Sequence, residues 1–291
     1  MQAAAENFAS ATGPVSVERA LRESRLEACD ANLLLQAALG VNRAYLAAHH
    51  DQFLNSRQAA AYAEWVQRRR AGEPIAYILG EREFYGLNFK ITPAVLIPRP
   101  ETELLVEQAL QRIPETQSSK ILELGTGSGN IALALARYRP LANITAVDCS
   151  EEALAVAGRN AGKLPGAESR NIVFKKSDWF GALGGETYNI IISNPPYVAS
   201  GDAHLRQGDV RFEPKQALNG GADGLNCIRQ IIGGAPSHLC KGGLLLFEHG
   251  YDQAAACRGL LAQSGFTQVF CSKDLAGIQR VSGGQNDRVM L

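Results

Sequence analysis

Asn194-Pro195-Pro196-Tyr197 follows a strand-like run, Tyr188 to Ser193, and cannot continue it. Two consecutive prolines remove two backbone donors and fix two φ angles, so the run ends in a rigid projection of acceptors. The Asn194 side-chain carbonyl and the Pro195 backbone carbonyl can accept the hydrogens of a planar N–H-bearing group. The Tyr197 ring offers that group a face for stacking. A carboxamide fits this geometry, and so does a nucleobase amine. A proline-stiffened turn with no ligand fits it equally well, and the tetrad alone does not separate these readings.

Upstream, Glu123-Leu124-Gly125-Thr126-Gly127-Ser128-Gly129 closes another strand-like run and opens a helix at Asn130. Its glycines let backbone N–H groups approach a ligand at a helix N-terminus. Asp148, at the end of the next strand-like run, is placed to accept from both hydroxyls of a ribose. Strand, loop, helix, strand and acid in register mark a nucleoside-bearing cofactor better than they mark an ordinary tight turn. The G-x-G-x-G spacing differs from the dinucleotide pattern and resembles the first motif of Rossmann-like methyltransferases that use S-adenosyl-L-methionine, whose cofactor lacks a pyrophosphate. That resemblance puts Gly125, Thr126, Gly127, Ser128, Gly129 and Asp148 on the cofactor. It also gives Asp178 the adenine amine, packs Trp179 on the base and brings Asn194 alongside. By itself Trp179 would read as a core aromatic at a strand end.

These groups need a scaffold that delivers them to one edge. From Lys120 onward, strand patterns at Ile121–Leu124, Ile144–Val147, Ile172–Lys175, Asn189–Ser193 and Leu244–Glu248 alternate with helical ones. Such alternation predicts a mainly parallel sheet covered on both faces. Two short runs in the tail, Phe266 to Leu291, predict an antiparallel pair on the sheet edge. The first seventy-odd residues read as helices only: Ser16 precedes one, Asp30 precedes Ala31–Leu39 with Gly40 as a stop, and Ser56 precedes Arg57–Ala71 with Gly72 as a stop. The expected organisation is a small all-α domain over 1–73, a linker with a β-hairpin over 74–100, and an α/β, Rossmann-like domain with a mainly parallel seven-stranded sheet over 101–291.

Longer segments narrow the resemblance. Gly72 to Gly80, Phe84-Tyr85-Gly86 and Leu96 to Glu103 resemble the run preceding the catalytic domain in the HemK/PrmC family. Arg211-Phe212-Glu213-Pro214, Gly220 to Leu225 and Phe247-Glu248-His249-Gly250 are similar to that family again, so the likeness extends over nearly the whole chain. It implies N5-methylation of the glutamine side-chain amide in the Gly-Gly-Gln motif of class-I peptide chain release factors, with S-adenosyl-L-homocysteine as the other product. It also promotes Arg99, Pro100, Glu101 and Thr102 from ordinary helix-start chemistry to a wall of the site. Glu123 stands where the family commonly has Asp. Gly283-Gly284-Gln285 copies the substrate tripeptide but reads as a glycine-rich hairpin turn.

Composition excludes several classes. Lys plus Arg and Asp plus Glu number 29 each, so no net field attracts a polyanion, which disfavours nonspecific nucleic-acid binding. The six cysteines form no C-x-x-C pair and no metal-ligand spacing, which predicts reduced, mostly buried thiols, no metal and a cytoplasmic location. Met1 to Val15 lacks a basic start with an apolar run, and no stretch nears the ~20 apolar residues of a membrane span. Arg68, Arg69 and Arg70 read as a solvated helix end, and His204 and His249 as surface or structural groups. Ser128 and Cys149 have no paired base, so no covalent nucleophile is expected. A monomer is expected. The competing readings are a DNA or RNA adenine N6-methyltransferase, which would flip a base into the tetrad, and a noncatalytic S-adenosylmethionine-binding module.

Overall fold

The computed structural model describes residues 14–163 and 171–287. The leaderless reading of Met1 to Val15 therefore falls almost wholly outside the described residues, as does the tail beyond Asp287. The chain divides into two compact units, Met1–Gly80 and Glu81–Leu291.

The first unit holds α1 (Val17–Ser24), α2 (Ala28–Leu39), α3 (Arg43–Ala48), α4 (Ser56–Arg70) and α5 (Ile75–Leu79). Ser16 caps α1 as expected, accepting from the Arg19 N–H, and Gly40 ends α2 with a left-handed φ of 70°. Asp30 lies inside the first turn of α2 rather than before it, and Asn55 with Gln58 forms a capping box at the start of α4. Val17, Ala20, Leu34, Leu35, Tyr62, Val66 and Ile78 share one core. Ile78 explains why the division comes at Gly80 rather than at residue 73: the segment expected as linker forms α5 and buries this side chain with the helices before it.

The three arginines are not a solvated end. Arg68 forks onto Glu73 at 2.8 and 2.6 Å, Arg69 reaches Asp30 at 2.6 Å, and Arg70 donates to the Ser24 and Glu23 carbonyls, both at 2.9 Å. Arg70 thus satisfies the C-terminal carbonyls of α1. The cysteines also depart from expectation. All six are free, but only Cys257 is fully buried, while Cys29 and Cys149 are exposed.

The second unit opens with a hairpin, β1 (Glu81–Phe84) and β2 (Leu87–Lys90). A 3-10 turn over Pro100–Thr102 leads into α6 (Glu103–Leu110). Then follow β3 (Lys120–Leu124), α7 (Asn130–Tyr138), β4 (Asn143–Asp148), α8 (Glu151–Ala161), β5 (Ile172–Lys176), β6 (Tyr188–Ser193), α9 (Asn226–Gly234), β7 (Leu239–Glu248), α10 (Ala254–Gln263), β8 (Thr267–Lys273) and β9 (Gln279–Asn286). The seven-stranded sheet has the order β5-β4-β3-β6-β7-β9-β8, with its first four pairings parallel and its last two antiparallel. On one face Leu122, Leu124, Ile191, Leu245 and Phe247 pack with Ile228, Ile231 and Ile232 of α9 and Cys257 and Leu261 of α10.

Gly283 and Gly284 lie within β9, not in a turn; the Asp274 N–H to Ile278 carbonyl bond closes the hairpin instead. As an inner strand β9 is crowded from both sides. A Cβ on Gly283 would come within 2.7 Å of the Leu245 carbonyl on β7 and of Phe270 Cζ on β8. Gly283→Ala is therefore expected to lower unfolding free energy by about 1–3 kcal/mol, the usual cost of overpacking, read from urea denaturation. An unchanged midpoint would contradict this packing.

Candidate active site

β3 and β6 are adjacent and parallel although β4 and β5 lie between them in sequence, and Leu124 pairs with Ser193 at their C-terminal ends. The buried Ser193 hydroxyl donates to the Leu124 carbonyl at 2.8 Å and ties the two ends together. Here the strand order reverses, which opens a crevice at the carboxyl edge of an α/β sheet. The glycine loop leaves β3 and the proline tetrad leaves β6, so both arrive at this crevice.

Gly125, Gly127 and Gly129 all have positive φ, 72°, 55° and 80°. An added Cβ would meet nothing within 4 Å at the first two, whereas at Gly129 it would crowd Ala157 and Leu133 at 3.1 Å. Backbone conformation requires the first two glycines, and close packing of α7 on α8 adds to the need for the third. Most of the loop's N–H groups are used internally: Gly125 and Thr126 donate to the Val147 carbonyl, Gly127 to Asp148 Oδ2 at 2.9 Å, and Gly129 to the Thr126 carbonyl. Among the described residues, the N–H groups of Ser128, Asn130 and Ile131 make no hydrogen bond. Asp148 also accepts from Ser150 N–H at 2.9 Å, so it fixes the loop against β4 while its remaining lone pairs face the cavity it lines.

That cavity has a volume of about 240 Å³. Glu123, Gly125, Thr126, Gly127, Ser128 and Asp148 form its floor, and Asp178 and Trp179 one side. Trp179 has a left-handed φ of 45° and packs against the core; the Ser177 hydroxyl holds the turn by donating to the Trp179 carbonyl at 2.8 Å. Cys149 and Cys227 line the cavity too, both thiols pushed up by burial and then by Asp148 and Asp178 respectively. Neither is poised as a thiolate.

The opposite wall comes from Val95, Leu96, Pro98, Arg99 and Thr102 and from a strap at Pro214, Gln216 and Ala217. The fully buried Glu213 carboxylate joins them, pairing with Arg99 Nη2 and accepting from Ile97 N–H at 3.1 Å. Burial raises the Glu213 pKa, opposed by Arg99 and the Ile97 N–H. Of the four residues expected as a wall, Arg99 and Thr102 line the cavity, whereas Pro100 and Glu101 are exposed outside it. The strap and Glu213 carried no chemical signal in sequence beyond the family likeness.

The tetrad divides into two parts. Asn194 and Pro196 line the cavity; Pro195 and Tyr197 do not. Asn194 Nδ2 donates to Thr102 Oγ1 at 3.1 Å, and no described residue bonds Asn194 Oδ1 or the Pro195 carbonyl. Tyr197 is anchored by its hydroxyl, which donates to Glu248 Oε1 at 2.9 Å, and by its carbonyl, which accepts from Gln253 Nε2 at 2.9 Å. Burial and the neighbouring Glu248 carboxylate raise the Tyr197 pKa. His249 is structural: Nδ1–H donates to the Gly250 carbonyl, Nε2 accepts from the Ser282 hydroxyl, and burial lowers the ring's pKa.

The floor tests what the cavity can hold. Glu123 Oε2 accepts from the Thr126 hydroxyl at 2.8 Å and Ala132 N–H at 3.0 Å, whereas Oε1 is buried with no hydrogen-bond partner. Burial pushes the Glu123 carboxyl up to about 8. Two acids, Asp148 and Asp178, and the Trp179 indole beside the glycine loop suit a nucleoside, and S-adenosyl-L-methionine fits that description. No cluster of metal-binding side chains occurs among the described residues, and no helix among them is long and apolar enough to cross a membrane.

Two family models match the chain: PrmC N-terminal domain over residues 16–80, and Methyltransferase small domain over 100–211. The chain is 50% identical to the release factor glutamine methyltransferase of Burkholderia pseudomallei over 94% of its own length and 96% of that protein's. It is 48% identical to the one from Bordetella pertussis, covering 91% and 97%. The hMettl16 catalytic domain, solved with the MAT2A 3'UTR hairpin 6, superposes with a TM-score of 0.56 at 15% identity, over 82% of this chain and 86% of that one, a likeness of fold.

Glu123 gives the site a measurable pH signature. Its folded pKa lies above its unfolded one, so the unfolded chain loses the proton first and stability falls as pH rises from about 4.5 to about 8. Glu123→Gln should remove a fall of up to about 1.4 kcal/mol per pH unit in that window. Urea unfolding of both proteins between those limits checks this; parallel profiles would contradict it.

Proposed function

Because the chain belongs to the release factor glutamine methyltransferase family, we propose that this site methylates the glutamine amide of the Gly-Gly-Gln motif in class-I peptide chain release factors, in the cytoplasm and as a monomer. S-adenosyl-L-methionine is the cofactor, and when bound it supplies an electrophilic methyl group on a sulfonium. Gly125 to Gly129 and Asp148 hold it, Asp178 and Trp179 take its base, and Glu123 lies in the floor of the cavity.

The difficulty lies with the substrate. A carboxamide nitrogen is a poor nucleophile because its lone pair is delocalised into the carbonyl, and no side-chain base strips its proton easily at neutral pH. Positioning and electrostatics must carry the reaction. Asn194 Oδ1 and the Pro195 carbonyl accept the two amide hydrogens, which fixes the plane of the group and turns the nitrogen toward the methyl donor. Each acceptor interacts more strongly as positive charge develops on nitrogen, so the stabilisation is specific to the transition state, and the methylated nitrogen, by then strongly acidic, releases its extra proton to water. Tyr197 serves the tetrad through its anchored hydroxyl.

One observation carries the reading: Asn194 and Pro195, directly after β6, hold two acceptors that no described residue bonds, at the edge of a cavity that Asn194 lines. An adenine amine would suit the same acceptors, and the shared fold with an RNA-bound catalytic domain does not discriminate. Identity of 50% over nearly the whole chain to a release factor glutamine methyltransferase favours the amide, as does the balanced charge.

Labelled S-adenosylmethionine should mark a release factor, but neither its Gln→Ala variant nor duplex DNA. Label on DNA and none on the release factor would overturn the reading. Asn194→Ala should lower turnover by ~10²–10³-fold, as when one oriented charge-stabilising partner is lost, with cofactor affinity little changed. An equal loss in both would remove Asn194 from substrate orientation.

A further inference from the structure

Beside the tetrad, the carboxyl edge of the sheet carries apolar side chains that the fold leaves in water. Tyr251 is 69% exposed, Leu275 is fully exposed, and Ile278 is exposed as well. Hydrogen bonds connect the turns that carry them to the tetrad. Gln253 Nε2 donates to the Tyr197 carbonyl at 2.9 Å while its Oε1 accepts from Gly250 N–H at 2.8 Å, which fixes the turn holding Tyr251. The His249 N–H donates to the Arg280 carbonyl at 2.9 Å and extends the β7–β9 ladder past the Glu248–Val281 pair, so that turn runs beside the start of β9. At the tip between β8 and β9, Asp274 Oδ1 accepts from the Ala276 and Ile278 N–H groups at 3.0 and 2.9 Å, and Oδ2 pairs with Arg280 at 3.2 Å. These bonds fix the tip without using the Leu275 side chain. Neighbouring strands are about 5 Å apart, which puts the start of β9 ~10 Å and the end of β8 ~15 Å from the end of β6.

Resting on the functional reading above, we propose that Tyr251, Leu275 and Ile278 form a docking surface for the release factor itself and receive apolar side chains that flank its Gly-Gly-Gln motif. The chemistry of the substrate calls for such a contact. Two glycines bring no side chain, and the acceptors on Asn194 and Pro195 read an amide that every glutamine carries. Selecting one glutamine among many therefore takes contacts outside the tripeptide. A protein whose glutamine enters beside β6 lays its adjoining surface over the next strand ends of the same edge, where these side chains stand. Single exposed apolar residues are ordinary, whereas several gathered beside a site mark an interaction surface, and a tyrosine is a frequent anchor in one. Exposed Asp252 and Lys273 give the patch a polar rim. The other exposed large apolar side chains among the described residues of this unit are placed differently: Tyr138 ends α7 and Leu141 precedes β4, both at the amino edge, and Val173 is on the outer strand β5.

Tyr251→Ser and Leu275→Ser change exposed positions, where substitution disturbs folding little. Each is expected to raise KM for a class-I release factor ~10-fold, the cost of truncating one interface anchor. Turnover at saturating release factor, S-adenosylmethionine affinity by calorimetry and melting temperature should stay as in the wild type, because only ground-state binding is lost. Leu141→Ser, the same exchange at the amino edge, should leave KM unchanged. Wild-type KM in both Tyr251→Ser and Leu275→Ser, an equal rise in Leu141→Ser, or a fall in turnover in place of a rise in KM would each overturn the inference alone. Absence of transfer by the wild type would overturn the functional reading, and this inference with it.

Discussion

The parallel pairing of β3 with β6, closed at its end by the Ser193 hydroxyl on the Leu124 carbonyl, is the constraint on which the site depends. Sixty-nine residues separate these partners, yet the reversal of strand order makes them neighbours. The glycine loop and the proline tetrad both leave the sheet within a few residues of that bond. Because the strands are buried and hydrogen-bonded on both sides, loop and tetrad inherit the rigidity of the sheet rather than the mobility usual for loops. A reaction that relies on alignment instead of on a strong base needs that rigidity.

The cavity is surrounded by three buried carboxyls, Glu123, Glu213 and Glu248, each driven upward by burial. Each carries out a different task. Glu123 holds the Thr126 hydroxyl and the Ala132 N–H at the glycine loop, Glu213 joins the wall to the strap through Arg99 and Ile97, and Glu248 accepts from the Tyr197 hydroxyl behind the tetrad. Buried acids of this kind are poor contributors to stability, and their concentration around one cavity locates where the fold gives up stability for a defined polar geometry.

Local pattern revealed the groups whose function depends on their immediate neighbours: the glycine loop, Asp148 after the next strand, and the proline tetrad. It did not reveal which end of Tyr197 the fold uses, since a phenol is both a stacking face and a donor, and only Glu248, a distant partner, selects the donor. The Asn194–Thr102 bond spans 92 positions and the Arg99–Glu213 pair 114, and no spacing rule connects such residues. Pro100 and Glu101 share a short turn with Thr102, but the turn directs only some of its side chains inward. In the helical unit, α3 is too short for its periodicity to stand out, and the arginine cluster looked solvated because the partners of Arg69 and Arg70, Asp30 and the end of α1, lie far upstream.

The order of the last two strands has an outcome for how the molecule assembles. β9 follows β8 in the chain but lies inside it, and β8 touches the sheet only through β9. Neither strand can be added singly in sequence order: β8 must wait, or the two must close into a hairpin first and dock as one piece along β7. Since β7 and β9 are far apart in sequence, that docking is a slow, nonlocal step. A nick or truncation within residues 279–286 would detach both strands at once and leave β7, which ends in Glu248, as an open edge.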